Sequence, residues 1–145
     1  MSGSVLTEDQ IKDLITQSLE ARNFSYSPYS NFRVGAALRT VDGKIYQGCN
    51  VENASYGGAI CAERTAFVKA VSEGHRRFVA LAVSCDLNHY ITPCGICRQF
   101  MNEFGKNLEI FFVNDDGTYK QAVLADLLPY AFGPEDLPSK ESNSV

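Results

Sequence analysis

Apolar positions change their period along this chain, and each change marks an element. Ile11, Leu14, Ile15 and Leu19 recur on one face of a 3.6-residue repeat. Thr7 and Gln10 have the spacing of a capping box, which predicts a helix from there to about Ala21. Tyr26 to Phe32 is polar and aromatic with no helical period, so it reads as a loop. Val34 to Leu38 and Lys44 to Asn50 flank the turn pair Asp42-Gly43 and predict an antiparallel hairpin. The small residues Gly35, Ala36 and Ala37 predict that another element packs closely on it.

Asn50 to Gly58 is a loop by composition. From Cys61 to about Ser72 the apolar residues Ala62, Ala66, Phe67, Ala70 and Val71 return to helical spacing, and Gly74 is a stop. Phe78 to Ser84 is a buried strand, and the loop from Asp86 to Pro93 leads to a helix from Gly95 to about Phe104. Glu109 to Val113 is a fourth strand, a short extended piece near Tyr119 a fifth, and Val123 to Leu128 a last short helix. This order predicts an α/β fold, a three-layer α-β-α sandwich around a mixed five-stranded sheet. The sheet is antiparallel at the hairpin and parallel where helices cross over. Residues 1–138 read as a single domain and 139–145 as a polar tail.

Composition narrows the function. At 145 residues the chain is one domain's worth, and 45% hydrophobic residues is a globular composition. The net charge of −4, with no basic stripe, disfavours a nucleic-acid polymer as partner. No apolar run approaches the ~20 residues of a membrane span. Met1 to Ser4 lacks the charged and apolar regions of a signal peptide, so the cytoplasm is the expected location, with the nucleus left open. The five cysteines are an odd number and fit a reducing compartment better than a disulfide framework. Cys49 and Cys85 lie in apolar stretches and are expected as packed thiols. His75 and His89 have no ligand spacing to the cysteines and are expected at the surface without a role.

The remaining cysteines carry the chemistry. Cys61 and Glu63 form a C-x-E pair, and about thirty residues later Pro93, Cys94 and Cys97 form P-C-x-x-C. Either piece alone is weak. Together, three thiols can hold one zinc and leave its fourth position open for water, which separates a catalytic zinc from a structural one. A carboxylate beside the first thiol can then move protons to and from that water. The combination is a known signature of zinc-dependent base deaminases.

From about Tyr29 to Leu137 the chain resembles the small cytidine deaminases of nucleoside salvage. The resemblance implies a cytidine deaminase-like fold with one Zn2+ per subunit on Cys61, Cys94 and Cys97, and with two helix N-termini aimed at the metal. It implies hydrolytic deamination of cytidine and 2′-deoxycytidine, with Glu63 as the catalytic proton carrier. Arg64, and by proximity Arg98, would hydrogen-bond the sulfurs as second-shell partners. Asn50 and Glu52 would hold the ribose hydroxyl, and Phe32 would pack on the pyrimidine. Ala54 and Ala62 complete the substrate-binding set with Tyr56 and Phe132, two aromatics that reach a neighbouring subunit's pocket. Phe132 to Leu137 matches the family's C-terminal motif, which implies a homotetramer with sites completed across interfaces.

Three other readings compete. The first is a deaminase of the same fold that acts on another cytosine-bearing small molecule. A zinc-stabilised module without activity needs a fourth protein ligand, for which Cys49 or Cys85 would be the candidates, and leaves Glu63 idle. A polynucleotide editor conflicts with the acidic balance and the short length.

Overall fold

The capping box forms as the spacing predicts. Gln10 N donates to Thr7 Oγ1 at 3.1 Å and Thr7 N donates to Gln10 Oε1 at 2.9 Å, opening α1 (Glu8–Ala21). The computed structural model describes residues 3–138, so the tail expected at 139–145 lies outside the described residues. After α1 come β1 (Val34–Thr40), β2 (Ile45–Cys49), α2 (Ala62–Ser72) and β3 (Phe78–Cys85). Then follow α3 (Gly95–Asn102), β4 (Glu109–Val113), β5 (Tyr119–Val123) and the single turn α4 (Leu124–Leu127). Gly43 and Gly74 take φ of +92° and +98°, which is why glycine ends the first strand's turn and the second helix.

The five strands form one sheet in the order β2-β1-β3-β4-β5. β1 pairs antiparallel with both β2 and β3, β3 pairs parallel with β4, and β4 antiparallel with β5. β2 and β3 therefore run the same way with β1 between them. Crossing over through α2 does not make them neighbours, so only β3 and β4 form the parallel pairing expected of crossovers.

Alternation along the strands divides the core into two faces. Ala37, Ala80, Ala82, Phe111 and Val113 face α1, which buries Ile11, Leu14 and Ile15 there. Ala36, Leu38, Leu81, Val83, Ile110 and Phe112 face α2 and α3 through Ala66, Phe67, Ala70, Cys97 and Met101. These are the three layers. The stretch expected as loop from Asn50 to Gly58 contains a 3₁₀ turn at Tyr56–Gly58, and two further 3₁₀ turns lie at Arg22–Phe24 and Pro134–Asp136, for which no element was expected. No helix among the described residues is long and apolar enough to cross a membrane.

Close approach at the hairpin places the site. A Cβ on Gly48 would stand 2.5 Å from both Ala62 O and Ala66 N, so only glycine lets the first turns of α2 lie on β2. Gly48→Ala is expected to cost about 3 kcal/mol, the upper end for overpacking, because backbone and not a flexible side chain is in the way. Denaturant midpoints check this, and an unchanged midpoint would contradict the close fit.

Candidate active site

Two loops deliver the thiols to helix N-termini. Cys61 is the N-cap of α2 and Cys94 the N-cap of α3, both with extended backbone, and Cys97 sits one turn into α3. The two helices lie against each other on the same face of the sheet. The ligand atoms of Cys61, Cys94 and Cys97 all lie within 4.8 Å of one another, and the Cys61 and Cys94 sulfurs are 3.9 Å apart. Tetrahedral zinc with bonds of about 2.3 Å requires sulfurs about 3.8 Å apart, so the trio fits. Neither Cys49 nor Cys85 joins this cluster among the described residues. Cys85 is buried as expected, whereas Cys49 is half-buried, its sulfur 3.3 Å from Phe24 O.

Charge at the cluster follows from its neighbours. Cys61 is pulled down to about 5, first by a hydrogen bond from Cys97 and then by Arg64 and Cys94, against the opposing effect of burial. Cys97 is pushed up for the matching reason: it holds the shared proton, and it is buried. Arg64 Nη2 donates to Cys61 Sγ at 3.5 Å, in the position expected of it. Arg98 is placed differently. Its guanidinium donates to Pro93 O at 2.7 Å, Leu127 O at 2.8 Å and Thr92 Oγ1 at 2.7 Å, with no bond to sulfur among the described residues. Three well-aligned oxygens outcompete a weak sulfur acceptor, so Arg98 braces the loop that presents Cys94.

Glu63 occupies the first turn of α2 and is 5% exposed. Burial is the main cause that raises its carboxyl to about 7, with the Cys61 thiolate adding to it and the backbone and Arg64 opposing. Among the described residues no other side chain hydrogen-bonds this carboxyl. It lines a cavity of about 300 Å³ together with Cys61, Cys94, Ala62, Phe32, Asn50 and Glu52.

That cavity brings together most of the residues expected at the substrate. Glu52 accepts from Tyr29 N at 3.0 Å, Ser30 N at 3.1 Å and Ser30 Oγ. The Ser30 hydroxyl is the first cause that holds its carboxyl below the ordinary value, so it stays an anion. Asn50 is largely committed to the fold. Its Oδ1 accepts from Val34 N at 3.0 Å and from Ser25 Oγ, and its Nδ2 donates to Phe32 O at 2.8 Å, which leaves one N–H hydrogen for a ligand.

Three expected residues stand apart. Ala54 is exposed. Tyr56, 75% exposed, lines an adjoining hollow with Tyr29, Ser30, Glu52, Asn53 and Ala59. Phe132 is 56% exposed, its carbonyl held by Gln99 Nε2 at 2.8 Å and Asn102 Nδ2 at 3.2 Å. Conversely, Val34, Ala59, Ile60, Ile91 and Thr92 line the main cavity without having been singled out. For all but Val34, closeness in sequence to Cys61 and Cys94 was the available signal.

A three-thiol centre beside a buried carboxyl is the apparatus of a metal-dependent hydrolytic enzyme. Residues 8–113 match the family model for the cytidine and deoxycytidylate deaminase zinc-binding region. The chain is 49% identical over 128 residues to a cytidine deaminase of Sporosarcina psychrophila, covering 88% of this chain and 94% of that one. It is 46% identical over 136 residues to a probable cytidine deaminase of Dictyostelium discoideum, covering 93% and 92%. The crystal structure of cytidine deaminase from Burkholderia pseudomallei superposes with a TM-score of 0.82 at 48% identity, covering 88% of this chain and all of that one. This protein belongs to the cytidine and deoxycytidylate deaminase family, and its metal is zinc, the ion that the three thiols fit.

Proposed function

We infer that the protein is a cytidine deaminase of pyrimidine salvage. It hydrolyses cytidine and 2′-deoxycytidine to uridine and 2′-deoxyuridine with release of ammonia. The observation that carries this is the buried Glu63 carboxyl in the same cavity as Cys61 and Cys94. Cys61, Cys94 and Cys97 would hold one zinc per subunit, which would supply a Lewis-acidic position that makes a water more acidic. Glu63 takes a proton from that water and gives it to N3 of the cytosine ring as the water oxygen bonds to C4. Glu63 then moves a second proton, from the hydroxyl now on C4, to the amino nitrogen, which leaves as ammonia. Its raised pKa suits a group that must both give and take protons near pH 7. Arg64 balances the thiolate charge, and Arg98 keeps the Cys94 loop in place.

Phe32 packs on the pyrimidine, Ala62 lines its pocket, and Asn50 and Glu52 receive the sugar. An anionic Glu52 accepts strongly from a sugar hydroxyl and repels a phosphate, which favours a nucleoside over a nucleotide. Glu52→Gln is expected to raise KM for cytidine by about 10–100-fold, the worth of a hydrogen bond to a charged group, with zinc content unchanged. An unchanged KM would count against the sugar contact. Ala54, Tyr56 and Phe132 serve a neighbouring subunit's site in a homotetramer, a reading supported by their exposure and their place outside this chain's own cavity. An active monomer in sedimentation would overturn it. Residues 1–138 act as one catalytic domain, and the free thiols among the described residues support a cytoplasmic location.

The reaction is tested by incubating the purified protein with cytidine. Uridine and ammonia should appear in equal amounts, stop with a chelator and resume with zinc. Absence of ammonia from the zinc-loaded protein would refute the function.

A further inference from the structure

Side chains from both flanks hold the segment that carries Phe32, just before β1. Phe32 N donates to Ser30 Oγ at 3.0 Å, and Asn50 takes Phe32 O and Val34 N. Between them Arg33 N donates to Asp86 Oδ2 at 3.0 Å, and the Arg33 side chain returns to the same carboxylate through Nε at 3.0 Å and Nη2 at 2.9 Å. Arg22, from the end of α1, donates to Cys85 O at 3.0 Å and reaches Asp86 Oδ1 at 3.4 Å. Asp86 directly follows β3 and begins the loop whose Ile91, Thr92 and Cys94 form the wall of the cavity shared with Phe32. Asp86 itself does not line that cavity.

We propose that Asp86 is a positioning residue for the reaction: by clamping Arg33 to the start of the Cys94 loop it sets the gap between Phe32 and the metal-side wall. This rests on the reading that Phe32 packs on the base. The Asp86 and Arg33 side chains are 29% and 43% exposed, so solvent screens the pair, and what its two-pronged geometry contributes to the fold is read separately from the melting temperature. Its loss also frees the backbone of one pocket wall. Phe32 contacts the base in the ground state and the transition state alike, so a looser wall removes uniform binding and raises KM more than it lowers kcat. Glu63 and the thiols are held by α2 and α3 and keep their places.

The test measures cytidine KM and kcat, uridine Kd by calorimetry, zinc content and melting temperature for Asp86→Ala, Asp86→Asn and the unaltered protein. Asp86→Ala should raise KM and Kd about tenfold, change kcat less than threefold and keep full zinc. Asp86→Asn retains an acceptor for Arg33 N and should recover most of the loss. A lower melting temperature with unchanged KM and Kd would reduce Asp86 to a structural residue and overturn the proposal. So would loss of zinc, or an Asn variant no better than Ala. No turnover by the unaltered protein overturns the reaction and this inference with it. Turnover by the unaltered protein that Asp86→Ala matches overturns this inference alone.

Discussion

Glu63→Ala is expected to lower kcat for cytidine by roughly 10²–10⁴-fold for each proton transfer it removes, while zinc stays at one per subunit. The two effects separate because Glu63 lies beside the cluster without supplying a ligand atom to it. Near-normal turnover in this variant would refute the mechanism. A readout without substrate tests the same residue. In the metal-free protein burial raises the Glu63 carboxyl from 4.5 to about 7. A carboxyl raised on folding is neutral, and costs nothing, below its unfolded value. It destabilises the fold progressively as pH rises through the interval and fully above about 7, by about 3 kcal/mol. Glu63→Gln should therefore make the metal-free protein more stable than its parent at pH 8, and the difference should vanish near pH 4. A pH-independent difference would show that the carboxyl is not buried as described.

What was legible in the sequence was what depends on local spacing. Thr7 and Gln10 cap α1 because the bond spans one turn, and two-residue alternation assigns Ala36 and Ala37 to opposite faces of the sheet. Gly35, Ala36 and Ala37 correctly announced close packing, since a Cβ on Gly35 would run into Ser18 O near the end of α1, whereas Gly48, on which α2 rests, was not singled out. The C-x-E and P-C-x-x-C pieces were readable because their residue types are rare in combination. Arg98 was misread because its partners, at Thr92, Pro93 and Leu127, are chosen by how the loops fold back. Asn50 was read for its chemistry alone. Its commitment to Phe32, Val34 and Ser25 becomes visible only when the segments on either side of β1 meet. Asp86 gave no signal, since its partners Arg22 and Arg33 lie more than fifty residues earlier in the chain.

Cys97→Ser should abolish zinc binding and, with it, all zinc-dependent turnover. Cys97 is fully buried and anchored in α3, so no neighbouring side chain can move in to replace its sulfur. A serine oxygen is a harder and far less acidic donor than a thiolate, and the shorter reach leaves the third corner of the site unfilled. The same experiment on Cys49 discriminates between a catalytic and a structural centre. Cys49 lies outside the cluster with its sulfur against Phe24 O, so Cys49→Ser should keep both zinc and activity. Because zinc must displace the proton that Cys97 shares with the Cys61 thiolate, affinity in the unaltered protein should climb with pH. Zinc binds the folded chain, with three thiolates in register, more tightly than the unfolded one, so chelation should lower the melting temperature of the parent and leave Cys97→Ser unmoved. Atomic absorption on the purified variants decides the matter: zinc retained by Cys97→Ser, or lost from Cys49→Ser, would mean that the metal sits on a different set of ligands.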